Sequence, residues 1–388
     1  LGLFAVVAGV VALILAGGFF EWNYNAMREG MIQSRLGHAQ AVKKGFIESG
    51  TAAPFVYLLP EKSTDLDLLM VGPGVQTVAP RLNFNGLISK GDATIAFMGQ
   101  GVDPAREAKL SGAISIVQGE GLSAIDAKEV ILGKGLAENL DVKVGQQVVL
   151  LATTATKGIN AVEVVVKGVF VTSAKAYDDY ALRLPLRTSR ELLKVSGAHT
   201  WVVLLGNTDK TDQFVERIGT KLVSPDVRLV PWHELPEADF YKKTVELFGR
   251  QMGFLRLLIG TIIVLSILNT LMSNVRERLG EIGTCMALGD SAATVRRRFM
   301  VEGAMLGLVG GTIGIFVGVA LGVLIDHVGI PMPPPPGMSI GYEAGIRLTF
   351  GGAFAALALA TFTAFLAGLY PAWSASRMPI VDALRQAR

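Results

Sequence analysis

The chain offers few side chains whose types and spacing could carry out catalysis. Asp178 and Asp179 are adjacent carboxylic acids, the groups that perform general acid–base chemistry. Neighbouring residues of a strand point to opposite faces, however, and no Ser or His motif accompanies the pair, so we expect a solvated turn. Gly133, Lys134 and Gly135 resemble part of a phosphate-binding loop, but the required glycine spacing and the following Ser or Thr are missing. We assign no catalytic or nucleotide site here.

Metal and redox chemistry find no support in the sequence either. The four histidines, at positions 38, 199, 233 and 327, share no ligand spacing. Cys285 is the single cysteine, which excludes a disulfide framework and any multi-cysteine zinc or iron–sulfur site. The 388 residues contain no G-x-x-x-x-G-K-[ST] motif, so any ATP hydrolysis is expected from a partner. We predict a chain that is not itself an enzyme and holds no cofactor.

The composition points to a membrane protein. Hydrophobic residues make up 51% of the chain, charged residues only 18%, and the mean hydropathy is +0.45. The net charge of +3 is small, and the basic residues are not massed on one segment, which excludes nucleic acid as a partner.

Four long stretches lack any Asp, Glu, Lys or Arg: residues 1–20, 257–275, 303–325 and 348–376. A helix needs about 20 apolar residues to cross a bilayer core, so we predict membrane helices at 1–20, 250–275, 301–325 and 348–371. Buried helices of a soluble core would usually show a polar stripe. The first stretch could instead be a signal peptide, but no small-residue cleavage pattern precedes Glu21, which favours an uncleaved anchor. Because the chain does not start with Met, we expect further residues before Leu1.

Arginines decide the predicted orientation. The segment 276–300 carries five of them (276, 278, 296, 297 and 298) against three acids, and the tail 372–388 carries three against Asp382. Both are therefore predicted to be cytoplasmic, because Lys and Arg collect on that side. The loop 326–347 has only Arg347 against two acids and is predicted to lie outside. Residues 21–249, with 25 basic and 26 acidic side chains, must then lie outside as well.

The long outer segment is predicted to be a mixed α/β domain. Runs rich in β-branched residues occur at 129–133, 147–152, 161–172, 200–206 and 227–231. Phe214, Ile218 and Leu222 give residues 212–223 one apolar helical face between two of these runs, which indicates a βαβ-like unit. Residues 51–125 are richer in Gly and Pro and are predicted to form a second, mostly β subdomain. Residues 332–338, with four consecutive prolines, are expected to form a stiff outer loop.

Within the membrane half, small and polar residues recur at helical spacing. Glycines repeat every four residues, which favours close helix packing within one subunit over a direct role in substrate binding; they are Gly310, Gly314, Gly318 and Gly322. The second helix carries four polar groups, for which we expect an interhelical hydrogen bond, with a cavity between two subunits as the alternative; they are Ser266, Asn269, Thr270 and Ser273. Residues 238–256 contain no proline and are predicted to extend this helix outward as a stalk.

The cytoplasmic segment between the second and third helices has the composition of a protein contact. Ile282, Met286 and Leu288 supply apolar knobs, and Glu277, Arg278 and Glu281 supply a polar rim, although a solvated loop would share this composition. The pattern E-R-x-x-E-I-G-x-x-x-A-L-G at 277–289 resembles the signature of the FtsX-like, or MacB-type, ABC transporter permeases.

Other motifs carry the same resemblance in the same order. The ending YPAWSASR at 370–377, followed by Pro379 and DALR at 382–385, is similar to the ending of this family. The GVDP sequence at 101–104 and the VILG sequence at 130–133 resemble stretches of its periplasmic domains. Cys285, Met286 and Gln146 depart from residues that are frequent in the family.

The resemblance implies a MacB-like periplasmic core domain and four membrane helices in a bacterial inner membrane. It also implies a dimer with a second permease copy or paralogue, seated on two cytoplasmic ATPase subunits that bind ATP and Mg²⁺. The ATPase contact would be a coupling helix, whose expected residues are Glu277, Arg278, Glu281, Ile282, Gly283, Met286, Ala287, Leu288 and Gly289. ATP-driven movement of this helix would be transmitted to the outer domain, so that substrates need not cross the bilayer.

Three functions remain open from the sequence. The leading hypothesis is a lipoprotein-release permease that hands a lipoprotein or lipid-like substrate to a periplasmic carrier. The second is a MacB-like exporter of small molecules or peptides that works with an adaptor and an outer-membrane channel. The third is an FtsX-like signalling protein that activates a cell-wall hydrolase, for which the outer domain is larger than expected. A membrane-bound enzyme is the remote choice.

Overall fold

The computed structural model describes residues 2–50, 52–110, 114–172, 175–333 and 342–377. The chain divides into two compact units. The helical unit comprises Leu1–Asn25, Lys243–Met332 and Glu343–Arg388, and the α/β unit comprises Ala26–Lys242 and Pro333–Tyr342. Residues 334–338 of the predicted outer loop 332–338, and the predicted tail motif at 379–385, lie outside the described residues.

Twelve α-helices occur in the described residues. They are α1 (Gly2–Met31), α2 (Phe46–Ser49), α3 (Thr64–Met70), α4 (Pro104–Glu107), α5 (Lys134–Asn139), α6 (Lys175–Asp178), α7 (Leu186–Leu193), α8 (Thr211–Gly219), α9 (Asp239–Glu277), α10 (Leu279–Ala287), α11 (Ala292–Val328) and α12 (Phe350–Ser376). The strands are β1 (Ala39–Lys43), β2 (Val75–Lys90), β3 (Ala93–Val102), β4 (Ser115–Gly119), β5 (Glu129–Gly133), β6 (Gln147–Thr153), β7 (Ile159–Val171), β8 (Ala181–Pro185), β9 (Thr200–Leu205), β10 (Val227–Pro231), β11 (Ile330–Met332) and β12 (Tyr342–Ala344). A π-helical turn, Ile32–Leu36, follows α1.

Four helices are long and apolar enough to cross a membrane, namely α1, α9, α11 and α12. This confirms the prediction of four membrane helices, but each helix extends beyond the bounds predicted for its membrane span. α1 continues past residue 20 to Met31, and α11 begins at Ala292 rather than at 301. Hydropathy identifies only the part of a helix that lies in the bilayer core, whereas the helix itself can continue into polar residues because its backbone hydrogen bonds do not depend on side-chain polarity. α9 is one uninterrupted helix of 39 residues that includes the predicted stalk.

Glycines of α11 allow two helices to approach it closely. Gly307 and Gly311 lie against α12, where ideal Cβ atoms would be 2.6 Å from atoms of Ala364 and Leu357. Gly310, Gly314 and Gly318 lie against Val6, Val10 and Ile14 of α1, and Gly322 lies against Leu348. Such close approaches are typical of small residues that let helix backbones pack.

The α/β unit is built on one ten-stranded mixed sheet, in which six strands close into a ring. β2 pairs with β3, β3 with β8, β8 with β5, β5 with β7, and β6 joins β7 back to β2. Each of the six ring strands pairs with a neighbour on both sides, and the interior of the ring is filled by alternate apolar side chains such as Ile88, Val164 and Leu182. Strands within 51–125 belong to this sheet, so the separate β subdomain predicted there is wrong; the local Gly and Pro content did not reveal the long-range pairing.

Three of the four remaining strands extend the sheet from the first half of β2 in the order β9, β1, β10, and the fourth, β4, pairs antiparallel with β7. Every residue of β9 is buried because both faces are covered: Val203 packs into one apolar cluster, and Val202 and Leu204 pack into another. β9 and β10 both run antiparallel to β1, so they are parallel to each other. The predicted βαβ-like unit of β9, α8 and β10 therefore forms with β1 inserted between its strands.

Asp178 is not in a solvated turn, contrary to expectation. Its side chain is buried and accepts hydrogen bonds from the backbone N–H of Thr172 at 3.0 Å and from the Thr172 hydroxyl at 2.7 Å. Burial raises the pKa of the Asp178 carboxyl, and the hydrogen bonds from Thr172 oppose this rise. An ideal Cβ on Gly133 would lie 2.3 Å from the Asp178 carbonyl oxygen, so this glycine serves close packing of α5 against α6 rather than phosphate binding.

Candidate coupling site

The segment that matches the family signature folds into the short helix α10 between two long helices. Arg278, with φ −108° and ψ 20°, interrupts the helical conformation after α9 ends at Glu277. At the other end the Asp290 N–H donates to the Cys285 carbonyl at 3.0 Å, and the Gly289 N–H donates to the Met286 carbonyl at 3.2 Å. This is a Schellman termination, which requires a positive φ at Gly289, and that angle is 111°. Glycine is thus needed where α10 stops.

The inner side of α10 is packed onto the end of the helical bundle. Ile282 and Met286 are half-buried against a cluster formed by Val275, Phe299 and Ala372 of the neighbouring helices. Gly283 is buried on the same side. These side chains hold α10 in place and are only partly exposed, so their predicted role in the ATPase contact stays a prediction. The helical period showed that they share a face but not that this face meets the bundle.

The outer side of α10 and the residues that flank it carry exposed side chains. Leu288 is 84% exposed, although it is a large apolar side chain. Glu281, Arg278 and Ala287 are also exposed, and Glu277 is exposed while accepting a hydrogen bond from the Ser273 hydroxyl at 3.3 Å. An exposed large apolar side chain together with exposed acidic and basic groups is the composition of a protein contact.

Two of the four polar residues of α9, Thr270 and Ser273, bond within their own helix rather than to a neighbouring one. The Thr270 hydroxyl donates to the Ser266 carbonyl at 2.9 Å, and the Ser273 hydroxyl donates to Glu277, so both bonds stay within α9. Hydroxyls in helices commonly bond to the carbonyl four residues earlier, which satisfies them without a neighbouring helix. Asn269 is exposed. The interhelical bond is made instead by Asn274, whose amide donates to Glu302 of α11 at 3.1 Å.

The α/β unit contains a buried charge cluster that the sequence did not suggest. Glu107 lies between Arg81 and Arg183, accepting from Arg81 Nε at 3.2 Å and from Arg183 at 3.1 Å, and all three side chains are at most 5% exposed. Burial lowers the pKa of Arg183, and the negative charge of Glu107 opposes that effect. Arg81 also donates to the carbonyl of Arg35 beyond α1. The cluster ties four segments of this unit together.

Two histidines of the α/β unit, His199 and His38, have pKa values that are lowered because their side chains are packed in the interior. His199 stacks on Phe46 with ring centroids 5.5 Å apart, and its Nδ1 accepts from the Asn83 backbone N–H at 3.0 Å. Burial lowers the pKa of His199 to about 4 and also lowers the pKa of His38. In the described part of the chain, no group of three or more His, Cys, Asp and Glu side chains could hold a metal ion.

Two family models match the chain. The model described as the MacB-like periplasmic core domain covers residues 1–221, and the model described as the FtsX-like permease C-terminal covers residues 253–380. Together they include the whole of the candidate site and most of the α/β unit.

Individual relatives agree with these models. The chain is 25% identical over 335 residues to the lipoprotein-releasing system transmembrane protein LolC of Xylella fastidiosa, which covers 82% of this chain and 79% of LolC. It is 26% identical to LolE of Haemophilus influenzae, over 65% of this chain and 62% of LolE. It is 33% identical to the macrolide export ATP-binding/permease protein MacB of Salmonella choleraesuis, but over only 36% of this chain and 19% of MacB.

Among solved structures, the periplasmic region of MacB from Actinobacillus actinomycetemcomitans is similar with a TM-score of 0.40 and 16% identity, over 56% of this chain and 96% of that one. The family assignment rests on the two models, which match in the order of the two halves of the chain. The chain therefore belongs to the FtsX-like ABC transporter permeases with a MacB-like periplasmic core domain, the family of LolC, LolE and MacB.

Proposed function

We propose that this permease couples ATP hydrolysis by separate ATPase subunits, which hold ATP and Mg²⁺, to movement of its periplasmic domain. The observation that carries the proposal is the geometry of α10. Its inner side is fixed to the bundle by Ile282 and Met286, while Leu288, Glu281 and Arg278 remain exposed on the outer side. A partner that pushes on these groups would therefore move the attached helices rather than bend a free loop.

The path of the movement in this proposal is α9. Its 39 residues correspond to a length of about 58 Å. It contains no proline, and one end adjoins α10 while its first residues, 239–242, belong to the α/β unit. A continuous helix of this kind supports transmission of force along the chain without a substrate pathway through the bilayer.

For the substrate we propose a lipoprotein or another lipidated molecule released from the inner membrane to a periplasmic carrier. The support is the extent of the similarity to LolC, a protein named for lipoprotein release, which includes 82% of this chain. The transporter would contain two permeases, either two copies of this chain or this chain and a paralogue. The proposal places the α/β unit in the periplasm of a bacterial cell.

The coupling surface can be tested with a charge-altering pair of substitutions. Glu281→Lys combined with Leu288→Asp should abolish co-purification of the ATPase subunit and the stimulation of its ATP hydrolysis, because both changes fall on the exposed side of α10. The matched control is Glu216→Lys with Val223→Asp, which places similar changes at exposed positions of the α/β unit. Unchanged ATPase binding in the α10 variant would overturn the proposal.

A second candidate function is export of a small molecule or peptide, which the 33% identity to MacB over 141 residues supports. Proteoliposomes that contain the permease, its ATPase and a fluorescent lipoprotein distinguish the two. Release of the lipoprotein on addition of ATP supports the first function. Failure to release it, with ATP-dependent transport of a macrolide in the same vesicles, would support the second. Neither activity, together with ATP-dependent activation of a cell-wall hydrolase, would favour signalling.

A further inference from the structure

Two adjoining grooves lie between α11 and α12 at the end of the helical unit next to α10. Their volumes are about 480 Å³ and 490 Å³, and they share Arg296 and Met300 in their walls. The first continues along Val301 and Phe365, and the second continues along Trp373 and its neighbours. Neither groove belongs to the exposed side of α10 described above.

The walls change from charged to apolar along the helix. Arg296 and Arg297 lie near the start of α11, whereas Ala304, in the same groove, lies about 12 Å further along the helix. α12 runs antiparallel to α11, because Gly303 approaches Ala364 while Gly322 approaches Leu348. This places the aromatic end of α12 beside the arginines.

The aromatic end has the composition of a membrane interface. Tyr370 and Trp373 line the second groove with ring centroids 6.5 Å apart, and they are 55% and 47% exposed. The Arg377 guanidinium lies over the Trp373 ring, 4.5 Å from its centroid. Tyr and Trp are enriched at the headgroup level of membranes, and Lys and Arg beside them attract anionic lipid.

The arginines of the groove are available for a ligand. Arg298, the third of the run, forms an ion pair with Asp290 at 3.1 Å. Arg296 and Arg297 are exposed and form no ion pair with another described residue. No acidic residue lines either groove within the described ranges. Among the described residues, the grooves therefore combine a positive charge that has no ion-pair partner with an apolar channel that leads away from it.

We propose that these grooves bind an anionic phospholipid, with its phosphate at Arg296 and Arg297 and an acyl chain along Met300 and Phe365. A free phosphate ion would use the arginines but would leave the apolar walls uncovered. An ATPase subunit would reach the arginines but not residues two to three turns further along a membrane helix. Only a molecule with a charged head and an apolar tail uses both parts of the groove.

The test uses Trp373 as the reporter, because bromine atoms on a lipid acyl chain quench a nearby tryptophan. The full-length permease is reconstituted in phosphatidylcholine vesicles that contain dibrominated phosphatidylglycerol or dibrominated phosphatidylcholine. The fluorescence of Trp373 is obtained as the difference between the tryptophan fluorescence of the wild type and that of Trp373→Phe. We expect phosphatidylglycerol to quench this signal preferentially, and excess inorganic phosphate to leave the preference intact.

Variants separate the site from a general charge effect. The double variant Arg296→Gln with Arg297→Gln should remove the preference for phosphatidylglycerol, because each arginine lost should lower the affinity for this lipid roughly fivefold. Arg298→Gln removes the same charge from the adjacent position, which lines neither groove, and should leave the preference unchanged. Ala304→Phe, which fills the apolar part without a change in charge, should reduce quenching by both lipids.

Three results would overturn the proposal. The first is equal quenching of Trp373 by the two brominated lipids. The second is an equal loss of preference in the Arg298 variant and in the double variant, which would indicate net charge alone. The third is an unchanged lipid preference in the double variant accompanied by loss of ATPase binding, which would assign these arginines to the ATPase contact.

Discussion

The contact between α11 and α12 gives a sharp prediction at Gly307. An ideal Cβ at this position would lie 2.6 Å from the Cβ of Ala364, 2.8 Å from the Cα of Thr361 and 2.9 Å from the carbonyl oxygen of Ala360. Two of these three atoms belong to the backbone of α12, so no flexible side chain can turn away. Gly307→Ala therefore forces the two helices apart.

The cost follows from the distances. Carbon atoms pack best at about 3.5–4.0 Å, so the helices must separate locally by roughly 1 Å. Ala360 and Ala364 are fully buried in the bundle core, so this separation disturbs further contacts. Overpacking of this kind costs about 1–3 kcal/mol, and the higher helix propensity of alanine returns up to about 1 kcal/mol. We expect a net loss of about 1–2 kcal/mol in the free energy of unfolding.

The assay is unfolding of the purified permease in mixed micelles, followed by circular dichroism as denaturing detergent is added. The matched control is Gly253→Ala in α9, because an ideal Cβ there meets no atom within 4 Å. The control should be as stable as the wild type or slightly more stable. If Gly307→Ala behaves like the control, the close approach of α11 and α12 is refuted.

Three further predictions follow from other parts of the molecule. Gly289→Ala, at φ 111°, should cost about 1–3 kcal/mol locally, which hydrogen exchange would detect as faster exchange in α10 at an unchanged global midpoint. Glu107→Gln should destabilise the protein by about 3–5 kcal/mol, because two buried arginines lose their counter-charge, whereas Glu246→Gln, in an exposed pair, should cost under about 1 kcal/mol in the same thermal unfolding assay. The pKa of His199 is lowered to about 4, so the unfolded chain binds a proton at a higher pH than the folded protein does. The free energy of unfolding should therefore be highest above about pH 6.5 and fall by about 3 kcal/mol towards pH 4. His199→Gln should flatten this dependence in denaturant titrations at each pH.

The sequence alone predicted the elements whose signal is local. Charge-free stretches identified four membrane helices because a bilayer core excludes ions along its whole thickness. The strand at Glu129–Gly133 and that at Val227–Pro231 have the bounds that their β-branched runs indicated. The motif at 277–289 was enough to indicate the family, and it lies on α10 and its flanks.

Elements that depend on distant partners were predicted less well. The ring of six strands closes because β6 pairs with both β2 and β7, and no local pattern records those pairings. The glycine repeat indicated tight packing but not that Gly307 faces α12 while Gly310 faces α1. Spacing along a helix defines a face, whereas the neighbour of that face depends on the rest of the bundle.

Some features of the candidate site could likewise be predicted from the local sequence, and others depended on the tertiary structure. The residue types and order at 277–289 determined that a helix with apolar and charged sides lies between two membrane helices. Only the tertiary structure decided that Ile282 and Met286 are used internally, which leaves Leu288 as the exposed apolar group. Likewise, Glu107 is 26 residues from Arg81 and 76 from Arg183 in the chain, and only the fold brings these charges together. The order of the residues determines which side chains share a helix face or a strand, but burial and charge pairing depend on contacts between segments that are far apart in the chain.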